Sequence, residues 1–182
     1  MSYTAKARVL SCLIAIIAGL STLAGGVLLL SDGRRPAVAF LLVSVVALVV
    51  GLLNVRLRLW RWSIRLLLAA ALVAGAGMLA SLVYRDDYFG GSCGEADWPS
   101  GHLHGGYPFS WLDGHICVPP GVGLREELHQ NPSRAAWRLD FPAAAVDALF
   151  WLNIGILASS AVGLGLEARA RRNSAPDAHG PS

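Results

Sequence analysis

His102, His104, Asp113, His115 and Cys117 follow one another in a single polar stretch, with Cys93 a little upstream. Imidazole nitrogens, thiolates and carboxylates are the usual protein ligands of zinc and copper. The alternation in His102-x-His104 and in Asp113-x-His115-x-Cys117 is that of a strand, which sends every second side chain to the same face. A metal site at His102, His104 and His115 is therefore one expectation. Against it, most zinc sites show helical His-x-x-x-His or Cys-x-x-Cys spacing, and Gly-His-Leu-His-Gly-Gly also reads as an ordinary polar loop. Cys93 and Cys117 have a competing use. In an oxidising compartment paired thiols persist as a disulfide, and closing this segment contributes about 3 kcal/mol on the chain-entropy account. Cys12 sits instead in an apolar run and is expected to be a small buried hydrophobe.

Asp147 and Asn153 are polar residues inside an apolar run, with Phe150 and Trp151 between them. A carboxylate at mid-depth in lipid costs at least ~2.5 kcal/mol, so it marks an ion or proton path or is tied to a partner. Asp147 follows closely on Pro142, about one and a half helical turns in. It is expected to reach the backbone N–H groups or an arginine of the preceding loop, a structural tether. Asn153 lies deeper. No catalytic, nucleotide or transport motif is present, and no cofactor is expected.

Four apolar runs, 9–30, 37–55, 64–84 and 142–166, must position these residues. At ~1.5 Å per residue each crosses a hydrocarbon core of ~30 Å, and each should be a helix because lipid offers no partner for backbone N–H and C=O. The first run is longer than a signal-peptide core and ends without a small-x-small cleavage site, so it is expected to be a retained anchor. The expected fold is an all-α transmembrane four-helix bundle, carrying a disulfide-linked extracytoplasmic loop at 85–141 between the third and fourth helices. A cytoplasmic tail at 167–182 follows, polar and disordered from 173 onward.

Arginine placement orients this bundle. Arg56, Arg58, Arg61 and Arg65 crowd the second short turn, whereas the first holds Arg34 and Arg35; Lys6, Arg8, Arg169, Arg171 and Arg172 flank the termini. Basic residues near span ends are kept in the cytoplasm, which puts both termini inside and 85–141 outside. The net charge of +3 is that of anchoring arginines beside anionic lipid, and no nucleic-acid partner is expected. Of 15 basic residues only Lys6 is a lysine, a coding bias of GC-rich genomes that favours a bacterial source and its plasma membrane. Trp60, Trp62, Tyr84, Tyr88 and Phe89 are expected at the membrane interfaces. Small residues at four-residue spacing, Ser21 with Gly25, Thr22 with Gly26, Ala71 with Gly75, and Gly155, Ser159 and Gly163, are expected to let helices approach.

Within the loop, Asp113-Gly114 between alternating residues predicts a two-residue β-hairpin. Leu112 would then face His115, Trp111 face Ile116, Ser110 face Cys117 and Phe109 face Val118. Its apolar face, Phe109, Trp111, Ile116 and Val118, would lie as a lid on the helix ends or the bilayer interface. A short helix is expected over 124–130, with Glu126 and Glu127 solvated. Beyond it 133–140 should return along the membrane edge, with Trp137 and Phe141 as interface anchors and Asp140 capping the last helix.

The segments Gly106-Tyr-Pro-Phe-Ser-Trp111 and Asp147-Ala-Leu-Phe-Trp151 resemble a pattern of small bacterial four-helix membrane proteins, with a Gly-[Phe/Tyr]-Pro-Phe outer loop and an Asp-x-x-Phe-Trp last span. The resemblance covers a minor part of the chain. It implies that lid and Asp147 belong together, and it implies no activity. The large outer loop is similar in layout to that of tetraspanins, but the Cys-Cys-Gly motif is absent. Negative chemistry with positive architecture leads to the first functional expectation, a non-enzymatic structural or accessory protein acting through its outer lid. Its partners would be the lipid bilayer and another membrane protein or a second copy of the chain. The alternatives are a membrane-embedded metal or redox protein, or enzyme, using the loop His and Cys residues, and third a small-solute transport component.

Overall fold

In a computed structural model of the protein the described residues are 3–32, 35–57, 63–82, 85–93, 98–123, 126–127, 130–131 and 135–173. They form helices α1 (Tyr3–Asp32), α2 (Arg35–Leu57), α3 (Ile64–Ser81) and α4 (Phe141–Asn173), and strands β1 (Arg85–Cys93), β2 (Trp98–Gly105), β3 (Leu112–Cys117) and β4 (Ala136–Leu139). The chain divides into two compact units, Met1–Gly75 with Leu149–Ser182, and Ala76–Ala148.

All four helices are long and apolar enough to cross a membrane. Their ends differ from the apolar runs. α3 stops at Ser81 rather than at 84, and 83–84 lie outside the described residues, as do Trp60 and Trp62. α4 continues past 166 to Asn173 because Glu167, Ala168, Arg169, Ala170, Arg171 and Arg172 are all strong helix formers. The tail expected from 167 is thus helical to Asn173, and 174–182 fall outside the described residues.

In the first unit the helices turn small and polar residues inward and branched aliphatics outward. α2 buries Ala37, Phe40, Ser44, Ala47, Gly51 and Asn54, a stripe recurring every three or four residues, and exposes Leu42, Val45, Val46, Val49, Leu52 and Leu53. Lipid gives leucine no reason to hide, so close backbone approach and interhelical hydrogen bonds decide what goes inside. Gly25 meets α2 so closely that a Cβ there would stand 3.0 Å from the Phe40 ring and 3.1 Å from Leu41 Cα. At Gly155 a Cβ would run into the Ala70 carbonyl oxygen. Asn153 donates from Nδ2 to Ser44 Oγ at 3.3 Å and to the Leu149 carbonyl at 2.9 Å, and Ile14, Leu66 and Ile156 pack as one apolar cluster.

The expected stripes of Ser21 with Gly25, and of Gly155, Ser159 and Gly163, are buried. Two others are not. Gly26 and Gly75 face open space, and α3 packs through Leu66 and Ala70. Ala70 and Ala71 are one residue apart, and one residue is a rotation of about 100°: the period was right and the phase wrong. Cys12 is free, as expected, but exposed rather than buried, because it lies off the stripe that runs through Ile14, Ala18, Ser21 and Gly25.

The second unit holds more β-structure than the single hairpin expected within the otherwise helical fold. Residues 85–139 contain a four-stranded antiparallel sheet in the order β1-β2-β3-β4. The hairpin at Asp113-Gly114 is not formed. β3 runs straight through that dipeptide, and the turn lies at 106–111, pairing Ser100 with Cys117, His102 with His115, His104 with Asp113 and Gly105 with Leu112. Gly114 serves another purpose, since the Trp137 indole on β4 lies so close that a Cβ would be 2.7 Å from its Cζ3. The glycine that turns the chain is Gly106, at φ 110°, and the Trp111 amide closes the loop on the Gly105 carbonyl at 3.0 Å. The Tyr107–Pro108 peptide is cis.

Ile116 and Val118 are buried as expected, but their cover comes from the loop itself, Leu103, Ala135 and Val122. Of the short helix expected over 124–130, residues 126–127 and 130 are helical and 124–125 and 128–129 lie outside the described residues; the amides of Glu127 and Asn131 bond to the carbonyls of Gly123 and Glu127 at 2.9 and 2.7 Å. Glu127 is not solvated: it is 3% exposed and accepts from Asn131 Nδ2 at 3.0 Å. The segment expected to return along the membrane edge pairs as β4 with β3. Asp140 caps α4 as expected, its Oδ1 accepting from the Ala143 amide at 3.0 Å.

Candidate functional site

Strand pairing assembles the polar residues of the loop into rows across one face of the sheet. His104, Asp113 and Arg138 are register partners across β2, β3 and β4, and Asp86 of β1 is the backbone partner of His104. His104 Nδ1 and Asp113 Oδ1 are 2.7 Å apart, and both side chains are about half exposed, 43% and 50%. At that exposure the pair contributes roughly 0 to 1 kcal/mol, so it orients His104 more than it stabilises the sheet. In the next row His102 and His115 stand edge to face with ring centroids 5.0 Å apart.

At the end of this face Cys93 and Cys117 are joined in the expected disulfide, with Cα atoms 5.7 Å apart, inside the ~4.4–6.8 Å a bridge requires. They belong to strands that are not neighbours. Cys93 pairs with Trp98 at the start of β2 and Cys117 with Ser100, and the irregularity between Phe89 and Ser92 gives β1 the bend that a bulge imposes. Cys93 is buried, whereas Cys117 and His115 are exposed. His115 Nε2 lies 3.7 Å from Cys93 Sγ. The ligand atoms of Cys93, His115 and Cys117 all fall within 4.8 Å of one another. Of the trio anticipated from the sequence, the sheet therefore places His102 beside His115 and commits His104 to Asp113. Cys93 was legible only as a disulfide partner, because nothing in its spacing shows that it meets His115.

A second polar point lies at the start of α4. Asp147 is fully buried, and the Trp111 indole N–H donates to its Oδ2 at 3.0 Å. The expected contact between Asp147 and the loop is present: a loop backbone N–H, that of Phe109, hydrogen-bonds to the carboxylate as expected, and the Trp111 indole joins it in place of an arginine. Among the described residues Oδ1 has no hydrogen-bond partner, and the nearby Ser81 hydroxyl is given to the Met78 carbonyl at 2.7 Å. The Trp111 backbone is held from both sides, its amide by Gly105 and its carbonyl by the Asp140 amide at 2.8 Å. The turn 106–111 thus carries the indole on a fixed backbone. Asn153 belongs to the other unit and has a separate set of partners.

Comparison with family models, with curated proteins and with solved structures finds no match to this chain.

Proposed function

We propose that the chain is a multi-pass protein of a bacterial plasma membrane, with its four spans as a bundle, both termini cytoplasmic and 85–141 outside. In this reading it is a structural or accessory partner that holds a small β-sheet at the membrane surface for another membrane protein or a second copy of itself. The observation that carries the reading is how the loop is built. It has its own apolar core in Leu103, Ile116, Val118 and Ala135, its own disulfide, and a hydrogen bond from Trp111 to Asp147 at the start of the last span. A segment ordered by such means is suited to presenting a fixed surface. The orientation rests on the arginine contrast between the two short turns, and the disulfide agrees with an oxidising compartment.

The test is a photo-crosslinking amino acid placed in living cells at Arg138 or Ala136, beside a control at Leu52 on the outward face of α2. A discrete adduct from the sheet positions, absent from the control, is the expected result. Turnover of a quinone, lipid or peptide substrate by the purified protein would overturn the accessory reading.

A further inference from the structure

We propose that Cys93, Cys117 and His115, with His102 as fourth ligand, form a zinc site that exists only when the Cys93–Cys117 disulfide is reduced. The proposal starts from a histidine that the disulfide does not need. A covalent link between β1 and β3 requires no imidazole, yet His115 Nε2 is 3.7 Å from Cys93 Sγ, and the three ligand atoms already lie within 4.8 Å of one another. In a tetrahedral site with Zn–S of ~2.3 Å and Zn–N of ~2.0 Å, a sulfur and a nitrogen ligand stand ~3.6 Å apart and two sulfurs ~3.8 Å. The nitrogen is thus at its working distance, and the sulfurs have only to part. Cys93 and Cys117 end β1 and β3 respectively, so neither must break a strand pairing beyond it to move. His102 comes from the cross-strand position, its ring 5.0 Å from that of His115. His104 is held by Asp113 and stays out of the set. Two thiolates and two neutral imidazoles balance the zinc charge, and the exposure of His115 and Cys117 leaves an entry path.

Reduction needs an external dithiol. Its thiolate attacks the exposed Cys117 Sγ, the S–S bond breaks, and Cys93 leaves as a thiolate beside His115. The second thiol of the reductant then attacks the mixed disulfide and releases Cys117, and the reductant departs as its own disulfide. Two electrons and two protons have passed to the protein. Zinc then displaces the two thiol protons.

The test uses the full chain in detergent in a Cys12→Ser background. Metal-free protein, oxidised or reduced with a phosphine, is titrated with zinc against a chromophoric chelator, and with cobalt(II) for the thiolate charge-transfer and tetrahedral ligand-field bands. The reduced chain is expected to bind one metal with these bands, and the oxidised chain none. His115→Ala should abolish the tetrahedral spectrum and weaken zinc at least ~10-fold, His102→Ala should weaken it ~10-fold or more, and His104→Ala should leave it unchanged. Mass mapping of the intact disulfide in each oxidised histidine variant shows that the loop still folds. Failure of the reduced chain to bind, equal binding by the oxidised chain, or undiminished affinity in His115→Ala would each overturn the site, and undiminished affinity in His102→Ala would overturn its place as fourth ligand.

Discussion

Replacing Trp111 with Phe removes a single N–H and keeps most of the ring, and it takes from the fully buried Asp147 the indole donor 3.0 Å from Oδ2. A hydrogen bond to a charged group contributes ~1.5–3 kcal/mol, and stranding a buried polar group costs ~1–3 kcal/mol. Membrane-embedded hydrogen bonds average lower, ~0.6 kcal/mol with a maximum near ~1.7, and Asp147 sits at the start of the span, between these regimes. A coupling of ~1–2 kcal/mol is therefore expected in a double-mutant cycle of Trp111→Phe and Asp147→Leu. Hydrogen exchange of the β3 amides, Leu112–Cys117, reads it as a loss of protection of ~5- to 30-fold in Trp111→Phe. Asp147→Leu should lose protection likewise by orphaning the indole N–H, and the double variant should lose little more than either alone. Asp147→Asn, which keeps an acceptor, should hold most of the protection. If the two single losses simply add, within ~0.3–0.5 kcal/mol, the 3.0 Å contact carries no energy and the tether is refuted. Near-native protection in both Asp147 variants would leave a functional acid as the better account of the carboxylate.

Gly155→Val should lower thermal stability in detergent by about 1–3 kcal/mol or more, because the new side chain must displace the Ala70 backbone, whereas Gly26→Ala and Gly75→Ala, facing open space, should stay within ~0.5 kcal/mol. Gly114→Ala should push Trp137 off β3 and selectively raise exchange of the β3–β4 amides; an unchanged exchange pattern would show that the indole has room to yield. Non-reducing mass mapping should find Cys93 joined to Cys117 and Cys12 free, and both loop thiols free in protein from an oxidising compartment would contradict the structure. Single cysteines at Ser2, Asp97 and Ala178, in a chain without native cysteines, should be labelled by an impermeant reagent only at Asp97 in intact cells; labelling at either terminus would reverse the orientation.

The spans were readable because lipid imposes a length and a composition that no other environment demands of a helix. Which side of each span packs was not, since Ala70 and Ala71 offer the same small side chain and only the neighbouring helix distinguishes them. The sheet was obscured by its glycines. Gly101, Gly105 and Gly114 interrupt the alternation of β2 and β3, and Leu112 and Trp137 approach the backbone at Gly105 and Gly114, so Asp113-Gly114 reads as a turn and the sequence does not single out the turn at Gly106. That His102 and His104 share one face, and that Asp113, His115 and Cys117 share one face, did follow from the alternation; that the two sets lie on the same face depends on register, because a one-residue slip would turn one set over. What alternation cannot reveal is which strand lies opposite. Cys93 beside His115, and Trp111 against Asp147, are facts of pairing between distant segments.

The sheet order β1-β2-β3-β4 repeats the order of synthesis. Each strand after the first, on emerging, finds the strand it must pair with already in place, so the sheet can zip forward strand by strand, its longest closure being 118–135 between β3 and β4. A single residue, Asp140, separates β4 from α4. The final strand is therefore complete before the final helix has begun to be made, and pairing of Ala136–Leu139 with β3 can fix where that helix enters the bilayer. Folding on the surface and insertion into lipid then become one vectorial sequence. An insertion lengthening the Asp140 junction should uncouple them, allowing the sheet to form while α4 inserts late or in a shifted register.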